Sequence, residues 1–212
     1  MSKGVLAIVS GFSGAGKGTV MQRLMAKYDN YALSISATTR LPRKDETDGI
    51  QYFFLSKEEF ETMIAEDALI EYAKYSENYY GTPRAYVKEK MESGQDVILE
   101  IEMQGAMKVK EKMPDVVLIF IAAPSVMELR NRLVGRGTED EEQVNRRFEA
   151  AKREVGHIED YDYLLINEDA DVCADEVHRI IQCERNHIVC AENKVENYAS
   201  FIEKMRKEFS AC

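Results

Sequence analysis

The chain has 212 residues and sets 28 Lys plus Arg against 38 Asp plus Glu, a formal net charge of −10. A chain of this length buries roughly 70% of its unfolded surface, so it can build one domain, or a core with inserted subdomains, without disulfide or metal staples. With 45% hydrophobic and 31% charged residues, neither a disordered chain nor a membrane bundle fits. The longest apolar run, Val116 to Ala123, falls well short of the roughly 20 residues of a spanning helix. The acidic balance argues against a general nucleic-acid or anionic-membrane binder. It leaves room for a small phosphorylated ligand held in a local basic site.

Five almost continuously apolar runs, residues 5–10, 32–36, 97–102, 116–122 and 163–167, suit strands buried on both faces of a parallel sheet. Helical segments alternate with them. One, 18–28, follows a glycine loop. A second opens at Ser125 with Glu128 three residues on, and a third at Thr138 with Glu141, both at capping-box spacing. The alternation predicts an open α/β sheet with right-handed crossovers. Two stretches break it. Between Ala37 and Gly94 lie hairpin-like aromatic runs at 52–55 and 69–75 and helix starts near Ser56 and Thr82-Pro83, which read as an inserted subdomain. Between Leu129 and Glu154 an arginine-rich helical pair surrounds Gly135-Arg136-Gly137 and reads as a lid.

At the far end Val195, Tyr198, Ile202, Met205 and Phe209 form one apolar stripe at helical spacing, for docking on the chain's own core or for a dimer contact. The four cysteines, Cys173, Cys183, Cys190 and Cys212, form no CxxC pair. With no signal-peptide pattern at the start, free thiols point to a reducing cytoplasm. Cys183, His187 and Cys190 fall at helical spacing. An ordinary helix surface explains them better than zinc, which takes four ligands in structural sites.

The strongest local signal is Gly11-Phe12-Ser13-Gly14-Ala15-Gly16-Lys17-Gly18-Thr19, a GxxxxGK string with an apolar strand before it and a helical stretch after it. Glycines let successive backbone N–H groups converge on one anion, and the following helix adds its positive end. Lys17 supplies a full charge. The position after the lysine, commonly a magnesium-facing Ser or Thr, is Gly18 here, followed by Thr19. Mg²⁺ is therefore expected to be held mainly by nucleotide phosphates, water and acidic groups.

Further on come Ser36-Ala37-Thr38-Thr39-Arg40-Leu41-Pro42-Arg43, Tyr52-Phe53-Phe54, Ile70-Glu71, Asn78-Tyr79-Tyr80-Gly81-Thr82, Glu100-Ile101-Glu102-Met103-Gln104-Gly105 and Arg132-Leu133-Val134-Gly135-Arg136-Gly137-Thr138-Glu139. Together with the glycine loop, these strings closely resemble the guanylate kinases over about residues 3–183. The tail, 184–212, lies outside the resemblance. The resemblance implies an α/β fold: a P-loop kinase core with a five-stranded parallel sheet flanked by helices (3–35, 96–128, 156–183), an inserted GMP-binding α+β subdomain (36–95) and a helical lid (129–155).

It implies transfer of the γ-phosphoryl of ATP to GMP, with Mg²⁺, in the cytoplasm, with no nucleic acid or membrane partner and room for a homo-oligomer. Ser36, Arg40, Arg43, Tyr52 and Tyr80 would hold the GMP phosphate. Paired guanidinium forks suit a dianion. Glu71 would read guanine, whose N1–H and N2 amine sit side by side before one carboxylate; adenine lacks the N1–H. Thr82 would donate to guanine O6, or serve as a helix cap with Pro83. Glu102 would lie on the ribose and base side of GMP, and Glu100 would meet Mg²⁺ through water. Lys17, Arg132, Arg136 and Arg147 would neutralise charge on the transferred group, with Arg146 a competitor for the last place. Asn167 falls near adenine, or forms a turn. Two other readings share these strings: a non-catalytic guanylate kinase-like scaffold for phosphopeptides, and a monophosphate kinase for another base. The intact glycine loop opposes the first, and Glu71 with the Asn78-to-Gly81 string opposes the second.

Overall fold

A computed structural model describes residues 3–75, 77–135, 141–188 and 190–211. Its centre is a five-stranded, all-parallel sheet in the order β2-β7-β1-β8-β9. The strands are β1 (Leu6–Gly11), β2 (Tyr31–Leu33), β7 (Asp96–Glu100), β8 (Val117–Ala122) and β9 (Tyr163–Ile166). Every residue of β8 is buried, because helices cover both faces of the sheet. Those helices include α1 (Lys17–Lys27), α4 (Met103–Lys112), α5 (Val126–Val134), α6 (Glu141–Glu154) and α7 (Ala170–Arg185).

Four of the five apolar runs become these strands nearly as read. The run at 32–36 does not stay whole. Its start is β2, and Ser36 opens β3 (Ser36–Thr38) in a different sheet. Apolar character marked the burial of this run but could not show that the chain changes sheets within it. The second sheet has the order β4-β3-β6-β5, from β3, β4 (Tyr52–Phe54), β5 (Leu69–Tyr75) and β6 (Asn78–Pro83). The aromatic run at 52–54 is no hairpin arm: it pairs in parallel with β3, while β5 and β6 form the hairpin. Helices α2 (Lys57–Ala65) and α3 (Arg84–Glu92) start close to the positions the sequence marks. Ser56 and Glu59 form a complete capping box on α2.

Buried charge ties one end of the sheet together. Asp96, fully buried at the start of β7, accepts the Val5 N–H at 2.8 Å and pairs with Arg185 at 2.5 Å. That joins the starts of two central strands to the end of α7. The helix stops there, since His187 adopts a left-handed φ of 54°. Cys190 is buried beyond the break, so Cys183, His187 and Cys190 do not share one helical face. The tail folds back on the core: Ile202, Met205 and Phe209 of α8 (Ala199–Ser210) are buried. Among the described residues no helix is long and apolar enough to cross a membrane.

Candidate active site: a phosphate cradle facing a buried carboxylate

The cradle follows β1, the central strand, so its backbone N–H groups open at the carboxyl ends of the parallel strands. Ligands settle there in open α/β sheets. Gly14 and Gly16 both take φ of 91°. At Gly14 a Cβ would lie 2.9 Å from Leu133 of α5, and at Gly16 2.6 Å from the Asn167 side chain. Glycine is thus required twice over, by conformation and by close packing. At Gly18, by contrast, a Cβ would enter open space. No steric demand explains its glycine, and Thr19 beside it is exposed.

Several residues expected at the donor nucleotide brace the loop in this structure. The Phe12 side chain is fully buried, so only its backbone faces the cradle. Buried Asn167 donates from Nδ2 to the Ala15 carbonyl at 2.7 Å. Arg132 donates to the carbonyls of Ala15 (3.4 Å) and Asn167 (3.0 Å) and pairs with Glu128 at 2.8 Å. Glu128 thus spends its carboxylate on Arg132, while Ser125 caps α5 by accepting from the Glu128 N–H. Lys17 donates to the carbonyls of Gly11 (2.7 Å) and Phe12 (3.1 Å), folded over the loop it serves. Arg146 is exposed and paired with Glu142 at 3.0 Å, whereas Arg147 is half-buried. The inward position belongs to Arg147. Arg136 and the cap expected at Thr138 lie outside the described residues.

Across the gap, β3, β4 and β6 bring Ser36, Arg40, Tyr52 and Tyr80 together. The Arg40 guanidinium stacks over Tyr52 at 5.4 Å and Phe54 at 5.7 Å, and the Tyr52 and Tyr80 rings meet edge to face at 6.1 Å. Glu46 grips Arg40 with both oxygens (2.8 and 2.9 Å) and also accepts the Arg43 N–H at 2.8 Å. This carboxyl is held down to about 2, first by Arg40 and then by the Arg43 N–H. Sequence reasoning gave Glu46 no role, although its place three residues past Arg43 suits a loop-closing acceptor. The Arg43 side chain is exposed, and its charge also helps to hold the Glu46 carboxyl down.

Glu71, on β5, is buried in the pocket wall, and burial raises its pKa. Thr82 donates to its Oε1 at 2.9 Å, while Lys108 and Lys112 partly offset the burial. Thr82 is therefore not the helix cap, since Pro83 occupies that position on α3. Gly105 was also missed. A Cβ there would lie 3.2 Å from Glu71 Oε2, so the missing side chain leaves the carboxylate its room.

One cavity of about 670 Å³ joins the two halves, lined by Gly11, Ser13 and Lys17 at one end and Ser36, Tyr52, Glu71 and Tyr80 at the other. Glu100 and Glu102 also line it. Glu100 ends β7 with its side chain exposed to the cleft, and partial desolvation there raises its pKa, with Lys17 opposing. A second cavity of about 350 Å³ beside β9 has Glu168, Asp169 and Glu176 and no cation among its described lining, so it does not suit phosphate.

Glu154, at the end of α6, also lines the main cavity and carried no signal in the sequence. Its Oε2 is buried with no hydrogen-bond partner among the described residues. Burial pushes the carboxyl up to about 6, with Lys17 lowering it and Glu102 raising it. A carboxyl with a folded pKa above its ordinary 4.5 stabilises the fold only while protonated. That contribution is full below 4.5 and is lost as pH rises through about 6. The difference corresponds to about 2 kcal/mol. Glu154→Gln is therefore expected to be more stable than the parent at pH 7 by up to about 2 kcal/mol, with the two converging near pH 4. Urea unfolding across this range checks it, and equal stability at pH 7 would mean that the ionised carboxylate is already satisfied.

Known proteins match this arrangement. The family model described as guanylate kinase matches residues 3–184. A guanylate kinase of Clostridioides difficile is 50% identical over 209 residues, 98% of each chain. One of Halalkalibacterium halodurans is 48% identical over 202 residues, 95% of this chain and 97% of the relative. The crystal structure of guanylate kinase from Anaplasma phagocytophilum superimposes with a TM-score of 0.68 at 35% identity over 87% of each chain. With a phosphate loop and a buried carboxylate facing one another in a single cleft, this chain belongs to the guanylate kinase family.

Proposed function

We propose that the cleft holds ATP on the glycine loop and GMP on the second sheet, end to end, and that transfer proceeds by positioning and electrostatics. The chain is a nucleoside monophosphate kinase that phosphorylates GMP. The observation that carries the assignment of sites is the cavity running unbroken from Lys17 to Glu71. The acceptor is a phosphate oxygen of GMP, already anionic at neutral pH, so no strong general base is needed. The difficulty is bringing two anions together, and fixed cations and N–H dipoles meet it.

In this reading Arg40, with Ser36, Tyr52 and Tyr80, binds the GMP phosphate, and Arg43 swings in from its exposed position. Glu71 accepts from guanine, Thr82 holds Glu71, and Glu102 lies on the ribose side. The loop from Gly11 to Thr19 binds the ATP phosphates. Lys17 leaves its two carbonyls for them, and Arg147, Arg132 and Arg136 approach from the lid. Residues 36–95 act as the GMP-binding subdomain and 129–155 as the lid.

The acidic residues also fit Mg²⁺. Glu100 stands in the cleft close enough to Lys17 to feel its charge. Contact through water is the mode in this reading, since Mg²⁺ keeps several of its own waters when proteins bind it. When bound, Mg²⁺ supplies neutralisation of phosphate charge. The free thiols Cys173, Cys183 and Cys190 agree with a cytoplasmic location.

Coupled detection of ADP release with GMP, AMP, CMP and UMP tests the reading. Turnover with GMP and at most traces with the others is expected. Comparable rates with AMP and GMP would sink the assignment of Glu71.

A further inference from the structure

We infer that the C-terminal helix α8, beyond the segment matched to the family model, is a positioning element for phosphoryl transfer, with Phe209 wedged between the phosphate loop and lid helix α6. The inference rests on reading the cleft as the site of ATP-to-GMP transfer.

Two adjacent residues at the end of α8 touch three parts of the donor side. The Phe209 ring, 1% exposed, meets Phe12 of the phosphate loop edge to face at 5.6 Å and Phe148 of α6 at 5.3 Å. Phe12 in turn meets Phe120 of β8 at 5.0 Å, so the loop is clamped between the central sheet and α8. Glu208 accepts the Val126 N–H at 3.0 Å, satisfying one of the unpaired donors that open α5 and placing a carboxylate at its positive end. Arg206 adds an ion pair to Glu159, just past α6, at 2.6 Å.

The helices held this way are the two that carry the lid arginines. Phe148 is next to Arg147 in sequence, and its ring lies under the Arg130 guanidinium of α5 at 6.0 Å. A shift of Phe148 toward the loop would shift Arg147 with it. Close-packed aromatic rings transmit such shifts because the interior has no slack. Phe209 thus sets the spacing between the cradle and α6, and the spacing of charges around a transferred phosphoryl is what catalysis of this kind depends on. None of these contacts reaches the second sheet, so GMP binding should not depend on them.

The test is steady-state kinetics on the full chain for Phe209→Ala, Phe209→Leu and Glu208→Gln, with Lys207→Ala on the exposed face of the same helix as control. Hydrogen exchange at 11–18 and 141–154 accompanies it. Phe209→Ala is expected to raise KM for ATP and lower kcat by about tenfold each, with KM for GMP within about twofold of the parent. Phe209→Leu, restoring most of the apolar volume, should recover most of the loss. Glu208→Gln should shift KM for ATP in the same direction by a smaller factor, and Lys207→Ala should match the parent. Exchange should rise together in both segments in Phe209→Ala.

A lower melting temperature with unchanged kcat and KM for ATP per folded molecule would overturn the inference, as would an equal change in KM for both nucleotides. If Phe209→Ala does not fold, the split between the two KM values is read on Glu208→Gln, and a parental KM for ATP there overturns it. Absence of GMP turnover in the unmodified protein would instead defeat the functional reading. The paired exchange would then still judge the wedge by itself.

Discussion

Lys17→Ala is expected to lower kcat by about 100- to 1000-fold while leaving the fold intact. The side chain lies at the start of α1, partly exposed, and donates to carbonyls of its own loop. Its removal takes little from the core. Its charge, however, opposes the raised pKa values of both Glu100 and Glu154. The variant would lose the cation that meets the donor phosphates and would leave those acids facing the incoming nucleotide with less compensation. Saturating ATP should not restore the rate, because charge on the transferred group grows in the transition state, and interactions made there act on kcat. Steady-state kinetics with circular dichroism as a check on folding decides it. A folded variant with near-parental kcat would remove the cradle lysine from the mechanism.

Glu71→Gln should lower kcat/KM for GMP by about 100-fold and leave ATP binding unchanged. The carboxylate can accept two neighbouring guanine donors, whereas the amide would turn one N–H toward a donor. Its setting sharpens the contrast, since it is buried and Thr82 occupies part of Oε1, so water cannot repair a mismatch. Burial also raises its pKa. GMP recognition by the ionised form should therefore fade, as pH falls, at a higher pH than an exposed carboxylate would dictate. In the Gln variant the acid limb of kcat/KM for GMP should lose that component. Initial rates against pH for GMP, with ATP affinity measured separately, provide the check. An unchanged preference for GMP over AMP in the variant would place base reading elsewhere.

Much of this was legible in residue order. A glycine loop between an apolar strand and a helix has few other uses, and the strands at 97–100, 117–122 and 163–166 show themselves because a parallel sheet covered on both faces must be apolar throughout. The charged and aromatic residues around Arg40 and Glu71 carried their chemistry in their side chains. Other features carried no local signal. The run at 32–36 gave no sign that Ser36 leaves the first sheet. Asn167 and Arg132 look like ligand residues, yet their hydrogen bonds go to the back of the loop. Arg40 reads as a free cation and is held by Glu46.

The amino-acid order alone settled which kinds of chemistry this chain can perform, because a glycine-rich turn, a lysine and a run of acids keep their character whatever surrounds them. Which atoms meet was a matter for tertiary structure. Glu154 becomes a cleft residue because α6 ends beside Lys17. Gly105 matters because α4 runs past Glu71, and Phe209 because the chain's last helix returns to its first loop. These are contacts between residues tens to nearly two hundred positions apart, and sequence spacing predicts contact only within one helix or strand, where the backbone repeat sets the distance.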